Sequence, residues 1–148
     1  MFPVRLVLRE VAARCIPPGA EGQARRLWDA LRADLTARLG EGGAERLFPH
    51  LQRRLLEEGS LILLDGLDEV PEAERRRKCL LEAVADLARA LPPDRSRVLV
   101  TARPYAYDDP RWRLPGFEVL LLADFDQEQV GQFVQRWYQA VRPVMGWD

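Results

Sequence analysis

The sequence predicts an α/β fold built on a parallel sheet, and three observations point that way. Leu61-Ile62-Leu63-Leu64 and Val98-Leu99-Val100 are continuous apolar runs, the pattern of strands covered on both faces. Around them lie longer stretches whose apolar residues recur every three or four positions, the period of a helix packed on one side. Pro-Pro pairs and Gly-rich breaks separate the two kinds of segment, so strands and helices alternate.

Taken in order, Phe2, Val4, Leu6 and Leu8 share one face at period two and predict a first strand, with Pro3 near its start. Pro17-Pro18-Gly19 then breaks the chain. Ala24, Leu27, Trp28, Leu31, Leu35 and Leu39 predict a helix from about Gly22 to Leu39, terminated by Gly40, Gly42 and Gly43. A second helix is expected from about Pro49 to Glu58, stopped by Gly59. The Leu61–Leu64 strand runs into Asp65-Gly66-Leu67-Asp68-Glu69, and a helix from about Glu72 to Leu91 follows, ended by Pro92-Pro93. Arg97 to Arg103 gives another strand and Phe117 to Leu122 a fourth. Val130, Phe133, Val134, Trp137 and Tyr138 place a last helix over Gln127 to Val141, capped by Asp124 or Asp126.

Composition bounds the function. With 148 residues, 47% hydrophobic and 30% charged, the chain is expected to form one globular domain. A net charge of −1 excludes a polycationic nucleic-acid coat and an acidic tail, so no specific nucleic acid is expected as a partner. No apolar run approaches the ~18 residues of a membrane span, and Arg5, Arg9 and Glu10 interrupt any secretory signal. A cytoplasmic protein with two reduced thiols, Cys15 and Cys79, is the expectation, with a disulfide as the alternative. Only one of the 22 basic residues is a lysine, Lys78, and it follows Arg77. A Walker A loop places Lys after Gly to reach the phosphates, so these residues carry no such loop.

Ligands of open α/β sheets bind outside the carboxyl ends of the strands. Two clusters fall there: Asp65 with Asp68 and Glu69, and Arg103. An apolar strand that delivers a carboxylate to the sheet edge suits Mg²⁺, a hard cation that takes oxygen ligands and keeps its waters. A second acid nearby orients or deprotonates an attacking water, and a fixed Arg pairs with a terminal phosphate. The plainer readings are a capped turn for the acids and a surface loop for Arg103; the pairing of both elements, one helix apart, favours chemistry.

Leu61 to Val70 resembles the extended Walker B element of NACHT-domain NTPases, within the STAND class of P-loop NTPases. Val98-Leu99-Val100-Thr101-Ala102-Arg103-Pro104 is similar to their sensor 1 strand, and Phe117 to Tyr138 to the strand and helix leaving that core. Pro3 to Glu10 looks like the family's second strand. The resemblance implies a three-layer αβα P-loop NTPase-like core, incomplete because the P-loop strand is missing, with residues 1–148 a partial nucleotide-binding domain. It further implies that Asp65 holds Mg²⁺ through water, that Asp68 and Glu69 are the catalytic acids, and that Arg103 senses the γ-phosphate. ATP or GTP with Mg²⁺ would be the ligands of a signalling switch that oligomerises. The gap left by the P-loop strand would be closed by repacking, strand exchange or homo-oligomerisation. The isolated chain is expected to be inactive. The alternatives are a non-catalytic interaction or oligomerisation module with an NTPase-like fold, and another P-loop ATPase subclass, an AAA-like module.

Other features have plainer expectations. Arg75-Arg76-Arg77-Lys78 reads as a solvated helix face paired with Glu72, Glu74 and Glu82, against nucleic-acid binding. Trp28 and Trp137 read as core. Trp112, near Tyr105 and Tyr107, either packs its loop on the sheet or stacks on a ligand. His50 has no second His or Cys nearby and takes no role.

Overall fold

The period-two run at the N-terminus forms strand β1 (Phe2–Val7), which buries Val4 and Leu6 and leaves Arg5 exposed. The structure, a computed structural model, describes residues 1–17, 19–71 and 75–146. It divides into two units, Met1–Phe117 and Glu118–Asp148.

In the first unit β1 runs straight into helix α1 (Leu8–Cys15), which sequence reasoning did not anticipate. Leu8 ends the period-two pattern and opens a helical one with Val11 and Ala12, and all three are buried. Helix α2 (Arg25–Leu39) matches expectation and stops at Gly40, whose φ of 72° lies in the region that favours glycine. Helix α3 (Glu41–Glu57) then restarts at once. Gly42 and Gly43, expected to extend the break, sit in its first turn, and Pro49, expected near its start, lies inside it. A Pro in a helix interior costs about 3 kcal/mol. Packing offsets this: Ala44 and Leu55 are buried, and Phe48, Leu51 and Leu56 pack on the core.

Strands β2 (Ser60–Asp65) and β3 (Arg97–Val100) complete a parallel sheet of order β1-β2-β3. Register places Val4 opposite Ile62 and Leu6 opposite Leu64, with Ile62 and Leu64 in turn opposite Val98 and Val100. These residues share one face, which forms a single core with Leu8 and Val11 of α1 and with Leu27 and Leu31 of α2. Helix α4 (Arg76–Ala90) adds Leu80, Val84 and Leu87. Burial alternates along β2, however, and on the opposite face Leu61 and Leu63 are only half-buried while Leu99 is 51% exposed. The strands are therefore not equally covered on both faces among the described residues. The expected start of α4, with Glu72 and Glu74, lies outside those residues. Beyond β3 come a short helix α5 (Pro104–Tyr107), a 3-10 turn (Pro110–Trp112) and buried Leu114. Cys15 and Cys79 are free thiols, and burial raises the pKa of each.

The second unit holds helix α6 (Gln127–Met145), longer than expected and running through Pro143. A capping box fixes its start: Gln129 N–H donates to Asp126 Oδ1 at 2.8 Å, and Asp126 N–H donates to Gln129 Oε1 at 3.0 Å. Two expectations fail here. Residues 118–122 belong to no strand, because an apolar run becomes a strand only where a neighbour takes up its backbone groups, and no described residue does. Trp137 is not core: it is 45% exposed and meets Tyr138 edge-on at 5.3 Å. No residue of α6 is buried.

Candidate functional site

The parallel sheet delivers its carboxyl ends to one edge, and Asp65 is the last residue of the central strand. Asp65 Oδ1 accepts from Thr101 Oγ1 at 2.7 Å, and Oδ2 accepts from Arg5 Nη2 at 2.6 Å. The Thr101 hydroxyl also accepts from Gly66 N–H at 2.9 Å, so it ties the end of β2 to the residue following β3. The Arg5 bond, then the Thr101 bond, hold the Asp65 carboxyl below the usual carboxylate range. Arg5, reciprocally, has its pKa raised by Asp65.

Gly66 takes a φ of 80°, which turns the chain into a single 3-10 turn (Leu67–Glu69). This turn buries Leu67 and separates the two further acids. Asp68 points inward, its side chain 9% exposed, with Oδ2 lying 3.5 Å from Arg103 Nε. Its Oδ1 accepts from Arg103 N–H at 3.2 Å. Glu69 pairs instead with Arg9 of α1 at 3.3 Å. The structure thus brings Asp65, Asp68, Glu69 and Arg103 to one edge and couples Asp68 to Arg103 directly.

Sequence reasoning missed Arg5, Arg9 and Thr101. Strand parity held the signal for Arg5: Arg5 lies opposite Leu63 and Val7 opposite Asp65, so Arg5 and Asp65 share a sheet face one pleat apart. The solvated-face expectation for Arg75 to Lys78 fails at Arg77, which is buried, although Lys78 does reach Glu82 at 3.9 Å. Trp112 packs against the core, as its plainer reading expected.

A family profile for the NACHT domain matches residues 13–141, most of the chain. The chain belongs to the NACHT-domain family. Its parallel sheet with packed helices is the αβα, P-loop NTPase-like core that membership implies, and NACHT domains as a family are STAND-class NTPases that use nucleotide with Mg²⁺. No curated protein and no solved structure matches this NACHT chain. No helix among the described residues is long and apolar enough to cross a membrane.

The donor set at Asp65 suits a hydrated Mg²⁺. Its carboxylate is 43% exposed and supplies hard oxygen donors. No three acid, His or Cys side chains converge into a metal cage among the described residues of this NACHT chain. Such an edge can contribute one carboxylate to a cation whose other ligands are water and phosphate oxygens.

Proposed function

We propose that this NACHT chain is the Walker B and sensor 1 portion of a STAND NTPase that binds and hydrolyses ATP or GTP as a signalling switch. The observation that carries this is the Asp68–Arg103 pair at the carboxyl edge, beside a carboxylate at the end of the central strand. Asp65 would hold Mg²⁺ through water, and the cation would supply charge compensation for the β- and γ-phosphates. Asp68 and Glu69 orient the attacking water and accept its proton. Arg103, 70% exposed at its side chain, swings from Asp68 to the γ-phosphate, a shift that its long contact to Asp68 at 3.5 Å permits. Arg5 and Thr101 hold the Asp65 carboxylate in its rotamer.

Residues 1–148 then form the part of the nucleotide-binding domain from its second strand to the helix after its last core strand. They contain no Gly-x-x-x-x-Gly-Lys sequence to cradle phosphates, so the isolated chain is inactive. The natural protein assembles as homo-oligomers in the cytoplasm. One observation favours a second reading, a non-catalytic scaffold: Arg5, Arg103 and Arg9 already face Asp65, Asp68 and Glu69 one to one.

Calorimetric titration with Mg²⁺–ATP and Mg²⁺–GTP separates the two. The isolated chain should give little heat, whereas a NACHT protein that joins this segment to a Gly-x-x-x-x-Gly-Lys loop should bind one nucleotide per chain. Tight Mg²⁺-dependent binding by the isolated chain would overturn the assignment of the phosphate cradle elsewhere. No binding by the natural protein would leave the scaffold.

A further inference from the structure

Arg77 of α4 is a buried cation, only 8% exposed, on a helix anchored in the core by Leu80, Val84 and Leu87. A guanidinium is withdrawn from water only where polar partners replace its hydration. Among those partners are backbone carbonyls of the acid-bearing loop. Nη2 and Nε donate to the Val70 carbonyl at 2.9 and 3.3 Å, and Nη2 also donates to the Asp68 carbonyl at 3.3 Å. The same guanidinium lies 4.9 Å from the centre of the Trp112 ring, in the turn that follows β3. Arg111, forked onto Asp109, meets that ring as well, at 5.5 Å.

One side chain therefore joins three pieces: α4, the Asp68–Val70 backbone, and the loop that begins at Arg103. We propose that Arg77, stacked on Trp112, is a positioning residue that fixes the Asp68–Glu69 turn against the loop after β3 and so sets the meeting of Asp68 with Arg103. What Asp68 and Arg103 then do rests on the NTPase function proposed above. Lys cannot substitute, because one ammonium cannot present a planar fork to two carbonyls and a flat face to an indole at once.

The test is amide hydrogen exchange by NMR on the ligand-free chain, comparing the wild type with Arg77→Lys, Arg77→Met and Trp112→Phe. The reporter is Arg103 N–H, which is bonded to Asp68 Oδ1 and is not bonded to Arg77. Val70 N–H, bonded to Leu67 O, reports on the turn, and Thr101 N–H, bonded to Leu64 O, is the sheet reference. Arg77→Lys and Arg77→Met should accelerate exchange at Arg103 and Val70 about tenfold and leave Thr101 unchanged. Trp112→Phe, which keeps a ring, should give a smaller rise at the same two amides. A rise shared equally by Thr101 would show that Arg77 serves stability alone, and no rise at Arg103 would also overturn the proposal. If Arg77→Met fails to fold, Arg77→Lys and Trp112→Phe decide the matter. Exchange requires no nucleotide, so a negative result here is separable from failure of the NTPase function.

Discussion

Thr101→Val isolates the hydroxyl that organises the site. Valine has nearly the same shape and suits a strand end, so the change removes two hydrogen bonds and little else. One bond is to the charged Asp65 at 2.7 Å and the other comes from Gly66 N–H at 2.9 Å. A neutral bond contributes about 1 kcal/mol and a bond to a charged group about 1.5–3 kcal/mol. Thr101 is exposed and Asp65 is 43% exposed, so water replaces part of what is lost. The expected cost is then about 1–2 kcal/mol, which lowers Tm by about 2–8 °C for a chain of this size. Calorimetric or circular-dichroism melting measures it, and amide exchange at Gly66 should accelerate roughly tenfold, since 1.4 kcal/mol of local opening is about a factor of ten. The Asp65 midpoint should move up toward the ordinary carboxylate range, because one of the two bonds that depress it is gone. Unchanged Tm and unchanged Gly66 exchange would refute the role of Thr101 as the tie between β2 and β3.

Three further outcomes follow from the same geometry. Leu64→Ala, at a fully buried position between Leu6 and Val100, should cost about 2–5 kcal/mol in urea unfolding; a loss under about 1 kcal/mol would contradict the core as described. Asp126→Ala removes the capping box of α6 and should reduce its stability by about 1 kcal/mol, read as faster exchange at Gln129 and Val130; equal exchange would discount the cap. Asp109, lowered to about 2 by its fork to Arg111, has a folded pKa below its unfolded value. The stabilisation it gives is therefore fully present above the ordinary carboxylate value and lost as pH falls toward about 2. Carboxyl NMR titration should show that low midpoint, and Arg111→Gln should return it toward the ordinary range.

Much of the site was legible because chemistry and strand patterning coincide there. The apolar run ending in Asp65 marks a central strand and its carboxyl end, and Val98 to Val100 marks its neighbour, although the strand expected to reach Arg103 ends at Val100. Four things were not legible, each for a physical reason. Leu8 serves both a strand period and a helix period, so α1 was hidden behind β1. Tertiary burial of Ala44 and Leu55 carries α3 through two glycines and Pro49, against local propensity. Residues 118–122 have strand composition, yet pairing is a property of a partner edge that no single segment encodes. Arg77 was misplaced because a run of four cations reads as a wet face, and only the fold reveals that one of them turns inward to carbonyls.

The most direct test of the central claim is steady-state Mg²⁺-dependent ATP and GTP hydrolysis by the natural protein carrying Asp68→Asn or Glu69→Gln, with nucleotide affinity measured alongside. Loss of a group that orients and deprotonates water should lower kcat by about 100-fold or more while nucleotide affinity stays within a few-fold of wild type. Hydrolysis at the wild-type rate in both variants would contradict the assignment of this sheet edge as the hydrolytic half of a nucleotide site.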